Sequence, residues 1–588
     1  MKKAFSAFVA VETFVFLARE DRWGVLFFFT KETWLLVTLL WVKNAALAAA
    51  AGFVAGRLLA LVTRGAERAD REPAPALLPL VEAAWVVPIL VVGGALRWAF
   101  RPWNPPGLWV DAVYAARPLY GGGAVPFWGA TPFGENPASH EVVSNLYVTF
   151  ERAIFAVFGS GEVGFFAISA VPACLALPAF WWLAREAYGA RTALVAALLA
   201  SLLAWPLLLG RWTTTASLLL ALVLLGAAAT LRALRAGSLA LAALAGFCVG
   251  LSLHTHASAG AVAAGFAAFA LFAAARDPRA RPLVAAASVA AALAFAPLAW
   301  AFAAGSSPLG GHLRDVHLAT LAQAADAPRA SGLLRIPATL AGNAVDYAGI
   351  LLWTRDPNVR HAAGGPVVSP LVGAAALLGM GLAAVRRRPA DLLLLALAAG
   401  SLSAGVLSNP GGAPNTLRVS ALAAPAAVFA AAVLETVFSV LAGAGVAARG
   451  VLAAGLAAVL VAAETLPVLV RYPERPGVAA AFCAAETEAG RMLARLGTAT
   501  VVLEEGAVRY PAVVEAVARG EDRAAALPAY ARSTPAALLA SPPPEPFWLL
   551  TSPRGLSELA AGGLRCGRGV EPGGAAAGFV LVRAGAHR

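Results

Sequence analysis

The chain has 588 residues, 60% of them hydrophobic and only 13% charged, with a mean hydropathy of +0.73. Soluble globular chains carry about a quarter charged residues, so this composition describes a polytopic membrane protein. Lys and Arg number 45 against 33 Asp and Glu, a formal charge of +12, but the arginines are strung between apolar runs. That excludes a nucleic-acid binder, which gathers them on one element, and assigns the positive balance to membrane topology.

The first segment, "MKKAFSAFVAVETFVFLARED", has the basic start and apolar stretch of a signal peptide. Glu12 interrupts the stretch and no small-x-small site follows, so it reads as an uncleaved interfacial segment. A membrane-crossing helix needs about 20 mostly apolar residues. Runs of that kind fall at 33–62, 78–98, 163–184, 192–210, 214–231, 238–255, 258–275, 282–303, 367–385, 391–408, 419–440 and 450–470. Arg64, Arg68 and Arg71, then Arg185 and Arg191, Arg232 and Arg235, Arg276, Arg279 and Arg281, and Arg386, Arg387 and Arg388 occupy alternate connections. Connections rich in Lys and Arg stay cytoplasmic, so these define the inner side.

Parity places the remaining connections outside. They are the loop 99–162, the turns "LLLGRWTTT" and "LHTHASAG", the loop 304–366, the turn "SNPGGAPNTLR" and the tail after about 470. Parity also requires that 141–158, with Glu141, Glu151 and Arg152, be an amphipathic surface helix and not a span. The tail, 471–588, alternates helical "AAAFCAAETEAGRMLARL" and "GLSELAAG" with strand-like "TATVVLEE", "FWLLTSP" and "GFVLVRA". The expected architecture is mainly α: a polytopic helical membrane protein of about 12 to 13 spans with a small extracytoplasmic α/β C-terminal domain. Its parts are an N-terminal membrane segment and linker at 1–77, a transmembrane domain at 78–470 and the small domain at 471–588. Cys174 and Cys248 lie in apolar runs as small hydrophobes. Cys483 and Cys566, in the tail, are read either as a disulfide or as two free thiols, since spacing alone does not choose.

No Walker A, H-E-x-x-H, C-x-x-C or G-x-S-x-G motif is present. Chemistry must therefore come from polar residues on the outer face. Asp111, in "PPGLWVDAVYAARPLYGG", is a lone carboxylate on a short helix, and partial desolvation there suits a general base. Arg211 and Arg418 stand where outer turns meet spans and offer planar forks for a phosphate. His254 and His256 in "LHTHASAG" have hydrogen-bonding or sugar-contacting roles open to them; at i and i+2 they share no helical face, which argues against a metal pair. Glu135, His140 and Glu141 are loop candidates for acceptor or metal contact, with solvated loop residues as the simpler reading.

"LWVDAVYAARPLYGG", followed by "SNLYVTFERAIFAVFGSGEVGFFAISAVPACLALPAFWWLAREAYG" and a Pro-x-x-x-x-Gly-Arg ending at Arg211, resembles the GT-C membrane glycosyltransferases. The likeness runs over about 78–440 and is greatest to the branch of protein O-mannosyltransferases and lipid A aminoarabinose transferases. It implies that Asp111 is the general base for inverting transfer of a sugar from a polyprenyl-phosphate donor to an extracytoplasmic lipid, glycan or protein. It also implies residence in the cell inner (plasma) membrane among membrane lipids. Two departures stand out. Ala112 occupies the place of a second acid, and Thr213, Thr214 and Thr215 follow Arg211 where some relatives have an acid. A divalent metal is thus only weakly supported as a cofactor. The alternative from another class is a multispan transporter or flippase, which would place ionisable residues inside interrupted spans.

Overall fold

The computed structural model describes residues 79–99, 104–119, 128, 130–132, 142–304, 329–361, 365–408, 414–442, 445–495, 501–504, 509–518, 530–540, 542–543, 547–562, 564–567 and 580–585. The expected span 33–62 and the candidates Glu135, His140 and Glu141 lie outside the described residues.

The bundle is built from α1 (Pro79–Trp98), α2 (Val110–Ala116), α3 (Asn145–Phe158), α4 (Glu162–Tyr188), α5 (Ala190–Leu202), α6 (Ala204–Leu209), α7 (Ala216–Ala236), α8 (Leu239–Ser252), α9 (Ala259–Arg276), α10 (Ala280–Ala303), α11 (Arg329–Ala348), α12 (Pro370–Arg386), α13 (Pro389–Val406), α14 (Ala423–Ala442) and α15 (Val446–Leu460). Strands β1 (Ala130–Pro132) and β2 (Val142–Ser144) pair antiparallel ahead of α3. Two π-turns, Val461–Thr465 and Pro467–Arg471, prolong α15. Among the described residues, eight helices are long and apolar enough to cross a membrane, and the shorter apolar α5, α8 and α12 stand with them. Each coincides with a span expected from the sequence between 78 and 470. The main core joins α4, α5, α7, α9, α12, α13 and α14. Without a solvent-driven hydrophobic effect between helices in lipid, close approach depends on small residues. Accordingly, Gly246 and Gly250 of α8 lie so near Ala287 and Ala291 of α10 that a side chain would strike the facing backbone.

Two details differ from the expectation. The run at 192–210 is broken at Leu203 into α5 and α6, and the amide that opens α6, Ala204, donates to Glu464 at 3.0 Å. The other oxygen of Glu464 accepts from the Ser369 amide just before α12. One carboxylate from the π-turn thus serves two helix starts, where amides lack partners. The second difference is in α3. Ser144 caps this amphipathic helix, accepting from the Leu146 amide, and Tyr147, Val148, Ile154 and Phe155 form its buried face. Glu151, counted in the sequence as a surface acid, lies on that buried face with neither oxygen hydrogen-bonded.

In the tail, α16 (Val478–Ala481) and α17 (Ala484–Ala494) lead to a five-stranded sheet. Strands β3 (Val501–Glu504), β4 (Tyr530–Ser533), β5 (Phe547–Thr551), β6 (Arg565–Cys566) and β7 (Val580–Gly585) lie in the order β4-β3-β5-β7-β6. β3 runs parallel to β4 and β5, while β7 is antiparallel to β5 and β6. Helices α18 (Pro511–Ala518), α19 (Pro535–Ala540) and α20 (Pro553–Ala561) complete it. The expected strands and the two expected helices are present; β6 has only two residues, and β4, Tyr-Ala-Arg-Ser, lacks the apolar run that marks β3, β5 and β7. The Cys483–Cys566 disulfide is not formed and both thiols are free. Cys483 is packed among α2, α4 and α18, whereas Cys566 sits on the edge strand against a different cluster, so the two side chains serve separate cores.

Candidate active site

The chain reaches Asp111 through a segment fixed from several sides. Arg211 is wholly buried, and its guanidinium donates to the carbonyls of Leu96 (2.6 Å), Ala99 (2.5 Å) and Asn104 (2.9 Å). Asn104 in turn donates to the carbonyls of Val468 (2.6 Å) and Leu469 (3.1 Å) in the second π-turn. Gly107 presses on the Phe482 carbonyl with no room for a side chain, and the Leu108 amide donates to Thr487 Oγ1 at 3.1 Å. Helix α2 then packs Ala112, Val113 and Ala116 against α3, α4 and α18. Asp111, in its first turn, stays partly exposed, where the helix dipole favours a negative charge.

Charges from three regions meet around this helix. Burial above all pushes the Cys483 thiol up to about 12, with Glu486 and Asp111 adding and Arg509 and Arg360 opposing. Tyr510 is raised first by burial, and Asp111 acts on it as well. Asp111 is therefore close to Cys483 and Tyr510, and Arg360 shares the neighbourhood of Cys483. The Arg360 guanidinium lies 5.2 Å from the centre of the Trp109 ring, two residues before Asp111. Its carbonyl accepts from Tyr472 Oη at 2.8 Å.

Beside Arg360, a polar knot joins the segment before α12 to the one before α14. Asp356 Oδ2 accepts from the Thr416 amide (2.6 Å), Thr416 Oγ1 (2.9 Å) and His361 Nδ1 (3.0 Å), while Oδ1 accepts from the Asn358 amide (2.8 Å). The His361 ring stacks on Trp212 at 5.6 Å with 16° between planes, and Trp212 meets Trp109 edge-on at 5.0 Å. Two residues beyond Thr416, Arg418 donates to Ser408 Oγ at 2.7 Å.

The structure sorts the residues singled out in the sequence. Asp111 lies near Trp109 and Arg360, and Arg418 lies near the Asp356 knot. Arg211, a candidate phosphate contact in the sequence, has its two terminal nitrogens on backbone carbonyls and its side chain sealed. His254 is likewise taken: Nε2 donates to the Ala294 carbonyl (2.9 Å), which leaves Nδ1 to accept from Ser144 Oγ (2.6 Å). Burial holds His254 below the usual histidine range. His256 Nδ1 accepts from the Ser258 amide at 3.2 Å and shapes the turn into α9. Among the described residues no three carboxylate, imidazole or thiol groups gather to hold a metal ion. Sequence reasoning missed Asp356, Arg360, His361, Trp109, Trp212 and Thr416. The one available signal was the polar stretch "RDPNVRH" inside an otherwise apolar chain.

Residues 146–300 match the family described as dolichyl-phosphate-mannose-protein mannosyltransferase, the protein mannosyltransferase branch that the sequence resembles. No curated protein matches the chain. Solved structures that are similar include three glycosyl-transferring membrane proteins. The archaeal oligosaccharyltransferase AglB from Archaeoglobus fulgidus, in complex with an inhibitory peptide and a dolichol-phosphate, is 14% identical with a TM-score of 0.45, covering 74% of this chain and 64% of its own. ArnT from Cupriavidus metallidurans, bound to undecaprenyl phosphate, is 13% identical with a TM-score of 0.49, covering 85% and 98%. The arabinofuranosyltransferase AftD from Mycobacteria is 14% identical with a TM-score of 0.41, covering 87% and 40%.

Proposed function

We propose that this chain is a multi-pass membrane glycosyltransferase that moves a sugar from a polyprenyl-phosphate donor to an extracytoplasmic lipid, glycan or protein. The observation that carries the reading is the placement of Asp111: a partly exposed carboxylate on a clamped helix, with the Arg360 cation over the neighbouring Trp109 ring. The match of 146–300 to a family named for a dolichyl-phosphate donor supports the donor class. The site residues lie at the bundle end opposite the arginine-bearing connections, and the positive-inside rule makes that end the extracytoplasmic face of the plasma membrane. The tail at 471–588 is assigned to the same face.

In this reading Asp111 takes the proton of an acceptor hydroxyl or amine as that atom attacks C1 of the donor sugar. The bond from C1 to the phosphate oxygen breaks, its electron pair leaves with the lipid phosphate, and the configuration at C1 inverts. Negative charge grows on the phosphate in the transition state and calls for fixed cations. Arg418 and Arg360, on the two segments tied together by Asp356, supply them, and an arginine fork suits phosphate oxygens. Arg211 contributes by holding the segment that leads to Asp111. The lipid tail of the donor would lie against the apolar helices.

The test is transfer from a panel of radiolabelled polyprenyl-phosphate sugars in membranes carrying either wild type or Asp111→Asn. Transfer by wild type and its loss in the variant is the expected result. Equal transfer by both removes Asp111 from the chemistry.

A further inference from the structure

Asp356 and His361 form a carboxylate–imidazole pair that no motif or spacing announces. The Asp356 side chain is fully buried and that of His361 is 5% exposed. Because Asp356 Oδ2 already accepts from both the amide and the hydroxyl of Thr416, it faces His361 as an acceptor, and Nδ1 must carry the hydrogen between them. That bond fixes the tautomer and the ring orientation, the service a carboxylate renders to a working imidazole. Stacking on Trp212 fixes the ring plane. The remaining nitrogen, Nε2, has no hydrogen-bond partner among the described residues, and it is not one of the sealed polar atoms. A ring held by one nitrogen, with the other left open, has the form of a proton-transfer group.

What it would act on follows from its neighbours. Arg360 precedes it in the chain and carries its charge to the face of Trp109, close to Asp111. Thr416, which clasps Asp356, is two residues from Arg418. His361 thus follows Arg360 in the chain, is tied through Asp356 to Thr416 on the segment that carries Arg418, and stacks on Trp212, which meets Trp109 two residues before the proposed base.

Resting on the glycosyltransferase reading, we infer that His361 protonates the departing lipid phosphate and that Asp356 is its positioning residue. The step balances. In the starting state the ring is the imidazolium, with hydrogen on both nitrogens. The bond from C1 to oxygen breaks toward the phosphate, whose oxygen takes the proton from Nε2 and leaves the neutral ring with its hydrogen on Nδ1, while the acceptor's proton passes to Asp111. After the products leave, the proton on Asp111 returns to Nε2 through water, so both groups are reset and no outside proton donor or oxidant is needed.

His361→Asn is the discriminating variant, because its amide nitrogen can replace Nδ1 and keep the bond to Asp356 while nothing replaces Nε2. In membranes, with the radiolabelled donor that wild type uses, its kcat should fall about 100-fold, the low end for loss of a general acid, with the donor KM moving less than about threefold. His361→Ala should recover part of the lost rate in added imidazole, and Asp356→Asn should lower kcat more than it alters KM. A purely structural His361 predicts wild-type kcat for His361→Asn and no response to imidazole. That outcome overturns the inference while leaving the Asp111 assignment standing. If wild type transfers no sugar from any donor in the panel, the reading and this inference fall together.

Discussion

At the end of the bundle with short connections, Arg185 reaches Glu82 at 3.0 Å, Arg235 reaches Glu186 at 2.8 Å and Arg386 reaches Asp391 at 3.3 Å. Each acid is buried under its own helix, while the arginine side chains keep 42%, 53% and 20% of their surface. At the opposite end Arg211 keeps none, and its partners are backbone carbonyls far away in sequence. Asp356 likewise gathers Thr416, 60 residues distant, and His254 bridges Ser144 to Ala294. At the first end the cations keep contact with water and record topology. At the second end charge is used to fix the path of irregular backbone, which is what a reaction site needs if groups are to stay within tenths of an ångström.

This contrast predicts which substitutions should matter. The largest effect is expected at Asp111, where Asp111→Asn removes the proposed base and should lower transfer by about 100-fold to 10,000-fold. Its unfolding temperature in detergent should match wild type, because the side chain is partly exposed and the packing of α2 comes from Ala112, Val113 and Ala116. Next is Arg211→Met, which keeps the length of the buried stem but deprives the carbonyls of Leu96, Ala99 and Asn104 of their donor. Buried groups left unpaired cost about 1–3 kcal/mol each, so a loss of about 3 kcal/mol or more is expected in denaturant titration of the purified protein. Transfer should fall with it, since the segment leading to Asp111 loses its clamp.

Glu151 gives a smaller effect with a distinct pH signature. Burial without a partner raises its pKa well above the ordinary 4.5. The folded protein therefore holds a proton that the unfolded chain releases above about pH 4.5, and stability must fall as pH rises through that value toward the raised pKa. The slope is about 1.4 kcal/mol per pH unit within that window. Glu151→Gln, which has the shape of the neutral acid and cannot ionise, should flatten the fall and unfold at a higher temperature than wild type at pH 8. An unchanged pH slope would mean that the carboxyl is not responsible.

The same division explains what was legible in the sequence. Spans are local: about 20 apolar residues between arginines specify α4, α7 or α10 without reference to anything else. Asp111 was legible because the resemblance marks its place, and Arg418 because it stands at the start of a span. The Asp356–His361–Thr416 knot was not, because its members belong to segments whose meeting depends on the packing of α12, α13 and α14, and no period or spacing encodes that. Arg211 and Glu151 show the opposite failure. Composition treats charged residues as exposed by default, whereas backbone carbonyls satisfied one of them and protonation suits the other.

Arg235→Ala is the smallest of these effects and the one that tests the contrast most directly. Its side chain is 53% exposed, and water and salt screen its attraction for Glu186. Glu186 is itself buried, so losing its partner should cost about 1 kcal/mol, the low end for a group left unpaired because the cation was half in water, and less at high ionic strength. Sugar transfer should be unchanged, because the neighbouring connections keep enough arginines to hold the orientation of the bundle. If Arg235→Ala instead cost as much as Arg211→Met, the arginine-bearing end would be holding the fold as tightly as the loop-bearing end. Burial of the cation would then no longer distinguish a charge that shapes a site from one that only marks a side of the membrane.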